Sequence, residues 1–148
     1  MMNDIPKGFR PLPIVGDVLE RLAPLYFREQ SDGLVALGVL LAKHHCNPRG
    51  TCHGGTWATM ADVLMGINVG LGTGLNGPTV SMSIDFAGAA MEGQWVEGHS
   101  RILRSTSHLA FAECHFMVQE KVALRVSGVF RRKFAPLLTL ADLCAEIP

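Results

Sequence analysis

Residues 44–75 read HHCNPRGTCHGGTWATMADVLMGINVGLGTGL, a loop, a double glycine and then a long apolar segment that holds one carboxylate. The turn formers Asn47, Pro48, Arg49 and Gly50 give way at Gly54-Gly55 to helix-compatible residues, which predicts a helix from Thr56 to about Leu71. A helix that is apolar nearly all round belongs inside a fold or an assembly. Asp62 is the only charged residue from Gly54 through Ile84. An ionised carboxylate in such surroundings is costly unless a specific group pairs with it or water reaches it, so Asp62 is the leading candidate for chemistry. The helix start supplies a complementary feature, because its first amides lack intrahelical partners and carry the positive end of the helix dipole. A carbonyl oxygen resting on the amide of Gly54 or Gly55 would be polarised, and charge gained under nucleophilic attack would be stabilised there. A polarised carbonyl beside a lone carboxylate points to acyl transfer to water. The competing account is that the glycines only cap a core helix and Asp62 faces solvent or a structural hydrogen bond.

Working outward, 148 residues make most simply one domain, residues 1–148, with enough chain for a core. Apolar residues are 48% and the formal net charge is zero, so no whole-chain field recruits nucleic acid or an anionic membrane. A small-molecule substrate is the expectation, and the low charged fraction of 18% suggests surface hidden in subunit contacts. Cys46, Cys52, Cys114 and Cys144 are irregularly spaced with no C-x-x-C pair, which fits free thiols in a reducing cytoplasm. The start, MMNDIPKGFRPLP, has no apolar core behind its charges, and no stretch is apolar for long enough to span a bilayer. The expected location is cytoplasmic.

Residues 1–16, with Pro6, Pro11 and Pro13, predict an extended arm free to lie on a neighbour. Asp17 can cap a short helix, DVLERLA, that Pro24 ends. Leu25–Gln30 and Leu34–Lys43 read as strands hinged at Ser31-Asp32-Gly33. After the central helix, Gly70, Gly72, Gly74 and Asn76-Gly77-Pro78 break the chain. Thr79–Phe86 then alternates, with Val80, Met82, Ile84 and Phe86 on one face and Thr79, Ser81, Ser83 and Asp85 on the other. Gln94–Ser105, Leu109–Glu120 and Val122–Phe134 are further strands, and the tail at 137–148 reads as a short helix with an apolar stripe. Strands with one buried helix give an α+β class.

Asn47, then His53-Gly54-Gly55, then Asp62 nine positions after the histidine resemble the Asn…His-Gly-Gly…Asp signature of the hotdog-fold acyl-CoA thioesterases. More narrowly they resemble the PaaI-like branch, which includes bacterial phenylacetyl-CoA thioesterases and the animal thioesterase superfamily member 2 proteins. The resemblance covers roughly Leu25 to Phe134. It implies a hotdog fold, an antiparallel sheet wrapped around one long central helix, and hydrolysis of an acyl-CoA or aryl-acyl-CoA to free acid and CoA. Asp62 would be general base or nucleophile, Gly55 with Gly54 would polarise the thioester carbonyl, and Asn47 and His53 would order the loop and the water. Thr79 falls where relatives place a hydroxyl near that water, with Ser81 as the fallback. For Thr79 a plain β-forming role competes. No cofactor or metal is implied. A homodimer or homotetramer is, with Asn47 and Gly55 of one chain facing Asp62 and Thr79 of another.

Coenzyme A would need cations at the mouth of the site. Arg101, Arg104, Arg131, Arg132 and Lys133 are candidates, and Arg104 with His108 marks a turn whose Thr-Ser-His departs from the small or basic residue of many relatives. Charged strand ends also serve simply to discourage edge pairing. The cluster His44, His45, Cys46, Cys52 and His53 could be read as metal ligands, but its spacing matches no zinc motif. A Cys52-His53 nucleophile lacks an orienting third group. A hotdog hydratase would need a histidine closely following Asp62, and none precedes His99. A non-catalytic acyl-CoA-binding module would not need the carboxylate. Trp57, Met60, Met65 and Phe86 are expected to shape the acyl pocket across subunits.

Overall fold

The structure, a computed structural model, describes residues 5–13, 16–136 and 139–144. The chain runs β1 (Arg10–Pro11), α1 (Asp17–Glu20), β2 (Tyr26–Glu29), β3 (Val35–Leu40), a 3-10 turn at Lys43–His45, α2 (Gly54–Thr73), β4 (Thr79–Phe86), β5 (Trp95–Ser105), β6 (Leu109–Val118), β7 (Lys121–Arg131) and α3 (Leu140–Cys144). All seven strands form one antiparallel sheet in the order β1-β2-β3-β5-β6-β7-β4. The helix α2 contacts β3, β4, β5, β6 and β7, so the sheet curls around it as the hotdog architecture requires.

The sequence of α2 explains that position. Trp57, Met60, Ala61, Leu64, Met65 and Val69 are buried, and Phe27, Leu37, Phe116, Leu124 and Phe130 meet them from the sheet. Trp57, Met60 and Met65 therefore belong to the core of their own chain rather than to a pocket shared across subunits, because the inward residues of the sheet cover them. Asn68 fixes the depth of the helix. Its Oδ1 accepts from the Val35 amide at 2.9 Å, while its Nδ2 donates to the Val35 carbonyl at 2.9 Å and to Ser100 Oγ at 2.5 Å. The helix begins two residues earlier than expected because the His53 side chain caps it, and it ends at Gly74, whose φ of 81° few other residues adopt cheaply.

The described part of the arm packs on its own chain. Arg10 and Pro11 pair with Phe27 and Tyr26, and the Leu12 amide donates to the Leu25 carbonyl at 2.8 Å. Phe9 packs edge-on against Trp95 with 5.0 Å between ring centres. The helix read as DVLERLA is a single turn, Asp17–Glu20. β6 stops at Val118 because Gln119 and Glu120, at φ 49° and 65°, form the two-residue turn into β7. The tail helix is present as Leu140–Cys144, Thr139 before it is not helical, and residues 137–138 and 145–148 of its expected span lie outside the described residues. No helix among the described residues is long and apolar enough to cross a membrane.

Candidate active site

β4 carries the first half of the site, and an irregularity decides which residues reach it. Thr79 pairs with Phe130 and Ser81 with Val129, so Val80 is an extra residue in the strand. The bulge shifts the alternation. Thr79 joins Met82, Ile84 and Phe86 on the helix side, the side of its buried partner Phe130. Its hydroxyl donates to Asp62 Oδ1 at 2.5 Å. Ser81, the fallback hydroxyl, stays with Ser83 and Val129 on the opposite face, lining a separate cleft there. It is thus removed from Asp62 by the thickness of the sheet. Asp62 is half-buried, and among the described residues it forms no ion pair. Oδ1 is held by Thr79, and Oδ2 has no hydrogen-bond partner among the described residues.

The second half is the loop that leads into α2. Asn47 ties its own loop together, its Oδ1 accepting from the Arg49 and Thr51 amides at 2.9 and 3.3 Å and its Nδ2 donating to Thr51 Oγ1 at 2.8 Å. Hydrogen bonds from Cys52 to the Ala90 carbonyl and from Glu92 to the Gly50 carbonyl pin that loop to the segment before β5. His53 Nδ1 accepts the Gly55 amide at 2.8 Å, so the Gly55 N–H is occupied within the chain. The Gly54 amide has no partner among the described residues, which makes it, rather than Gly55, the donor available to a ligand. The Phe86 ring lies beside Gly54, 3.5 Å from where a Cβ would stand.

Other candidates have different places. Arg132 is committed to structure, its guanidinium donating to the Thr73 carbonyl at 2.9 Å and to the Thr106 carbonyl at 2.5 Å. Arg101 pairs with Glu113. Arg104 is exposed, and His108 Nδ1 lies 2.8 Å from Ser107 Oγ. Their turn sits by the C-terminal end of α2, about 16 Å along the axis from Asp62 at 1.5 Å per residue. Within one chain neither reaches the carboxylate. The rings of His44 and His45 contact the Ala23 and Leu22 carbonyls, and among the described residues no group of three or more His, Cys, Asp and Glu side chains is disposed to hold a metal. Burial, with Cys46 opposite, pushes the Cys52 thiol up to about 12, which opposes a thiolate nucleophile.

The sequence reading missed an open cavity of about 280 Å³ lined by Asp62 and Thr79, by neighbouring residues of α2, by Asn76 and Gly77, and by the N-terminal arm. A signal for one wall was present: Gly66 lies four residues beyond Asp62, on the same face of the helix.

The two halves do not meet within one chain. Gly54 and Asp62 stand on the same helix eight residues apart, about 12 Å along its axis. A reacting carbonyl must sit about 3 Å from both a polarising donor and its attacking water.

Residues 49–123 match the family model described as the thioesterase superfamily. A Pseudomonas aeruginosa protein described as a candidate esterase is 34% identical over 88% of this chain and 98% of its own. Among solved structures, the zebrafish thioesterase superfamily member 2 superposes with a TM-score of 0.72 at 23% identity, over 77% of this chain and 85% of its own. A Streptococcus pneumoniae protein described as a hypothetical thioesterase, solved with coenzyme A, gives 0.69 at 19% identity, over 75% and 87%.

Proposed function

The chain belongs to the thioesterase superfamily, and from that premise we propose that it hydrolyses acyl-CoA or aryl-acyl-CoA at sites shared between two chains. The observation that carries the reading is the separation of the halves. Asp62 and Thr79 form one functional unit, Asn47, His53 and Gly54 another, and the length of α2 keeps them apart. A second chain related by two-fold symmetry would bring its helix start to the carboxylate of the first.

In this mechanism the thioester carbonyl oxygen lies against the Gly54 amide of one chain, at the positive end of α2. Water held by Oδ2 of Asp62 in the other chain attacks the carbonyl carbon while the carboxylate takes its proton. Thr79 keeps the carboxylate oriented. The tetrahedral intermediate places its negative oxygen on the Gly54 amide, then collapses with cleavage of the C–S bond. The CoA sulfur leaves and takes a proton, and the free acid remains. His53 acts through Gly55, fixing the first turn so that the neighbouring amide points outward. Arg104, Arg131 and Lys133 remain candidates for the CoA phosphates, and the coenzyme A of the streptococcal neighbour supports that class of ligand. Free thiols at Cys46, Cys52 and Cys114 fit a reducing compartment.

Asp62→Asn tests the assignment. The variant should fold and bind acyl-CoA, yet lose about a hundredfold or more in kcat in an assay that detects released CoA thiol. A kcat within a few-fold of the unaltered protein would make Asp62 a structural residue and end the proposal.

A further inference from the structure

We propose that Gly66 sets the length of acyl group the enzyme accepts, by keeping open the apolar cavity beside Asp62; this rests on the acyl-CoA reading above. Asp62 and Thr79 are hydrogen-bonded to each other and line the cavity, and the thioester carbon must lie beside them to meet the attacking water. Val63, Gly66 and Ile67 line it from α2, and Leu12, Pro13 and Leu19 line it from the arm and α1. Apart from Asp62, Thr79 and Asn76, the lining is apolar and gives an acyl tail surface to be buried against.

Glycine is a poor choice inside a helix unless something demands it. At Gly70 and Gly72 the chain itself makes the demand: an added Cβ would come within 3.1 Å of Asn76 Nδ2 and 2.4 Å of Ile102 Cδ1. At Gly66 a Cβ would meet nothing within 4 Å. Packing within the chain therefore does not account for the glycine, and what its missing side chain leaves is space in the cavity. At about 280 Å³ the space lies at the small end for ligand pockets. That suits an acyl group of medium length, or a phenyl ring on a short link, better than a long fatty chain. A leucine at 66 would push its four side-chain carbons into this volume.

The test uses the full chain and Gly66→Leu, with Gly66→Ala as the smaller step, on acetyl-, butanoyl-, octanoyl- and phenylacetyl-CoA. The unaltered protein should favour octanoyl- or phenylacetyl-CoA over acetyl-CoA by about tenfold or more in kcat/KM, each methylene buried being worth up to several-fold. In Gly66→Leu the octanoyl-to-acetyl ratio should fall about tenfold, with alanine between and the melting temperature unchanged or higher. Parallel profiles for all three proteins would overturn the proposal. So would a Gly66→Leu protein that changes its sedimentation as an oligomer, since the position would then seat a second chain. If the unaltered protein cleaves no acyl-CoA, the thioesterase reading itself fails. Calorimetric titration with octanoate then judges the cavity alone: weaker binding by Gly66→Leu supports it, and equal binding overturns it.

Discussion

His45 is fully buried, with Nδ1 accepting from the Ala42 amide at 2.9 Å and Nε2 donating to the Leu22 carbonyl at 2.7 Å. That arrangement needs the neutral ring, and desolvation, aided by the adjacent His44, lowers its pKa below the usual value. Burial also lowers His115, with His99 stacked on it. A histidine whose folded pKa is depressed contributes stability that is complete above its unfolded pKa of about 6.5 and is lost as pH falls through the folded value. Thermal melts between pH 8 and 5 should therefore show a decline beginning near pH 6.5, flatter in His45→Asn, at about 1.4 kcal/mol per unit of pKa depression. A variant curve parallel to that of the unaltered protein would remove His45 from the account. At this scale the sequence was informative where chemistry alone decided. Asp62 stood out as the one charge in a long apolar run, whereas the choice between Thr79 and Ser81 depended on a bulge at Val80 that exists only once β4 has paired with β7. Gly54 and Gly55 are chemically identical, and only the His53 ring, occupying one amide, tells them apart.

Asn68 acts for α2 as a neighbouring strand acts for β3, meeting both the amide and the carbonyl of Val35. Asn68→Ala would leave those groups and Ser100 buried without their partners, at about 3 kcal/mol in total. For a protein of this size the melting temperature should drop by about 6–12 °C; a loss under about 2 °C would show that water or repacking replaces the latch. The elements themselves were largely readable. β4 has the expected bounds, and the central helix and five further strands lie where periodicity placed them, because residues buried in bulk announce themselves. The turn between β6 and β7 was not readable, since Gln119 and Glu120 occupy left-handed positions that glycine or asparagine ordinarily marks. The two-residue β1 was hidden for a similar reason: prolines predict an extended chain without saying what it lies against.

The two edges of the sheet differ in a way that bears on assembly. β1 is two residues long and blunts one edge, while β4 leaves eight residues on the other with Asp85 as their one charge. A shared site requires two chains, and subunit mixing tests that directly. Asp62→Asn lacks the carboxylate. Asn47→Ala with Gly54→Pro lacks the loop and the amide, proline being well tolerated at the first helical position. Reassembled at equal ratio, half the dimers are mixed and carry one intact site each, so about a quarter of full activity should return. Activity that stays at the level of the parents despite demonstrated exchange would place the site within one chain. The pairing of β4 also imposes a timetable. β4 is made directly after α2, yet its partner in the sheet is β7, the last strand synthesised. At 5–20 residues per second a ribosome takes roughly 2–9 s to travel from Phe86 to Arg131. Throughout that interval the nascent strand bearing Thr79 has no ladder to join, so the carboxylate and its hydroxyl are brought together only near the end of translation, and a chaperone that shields bare strands would find β4 before β7 does.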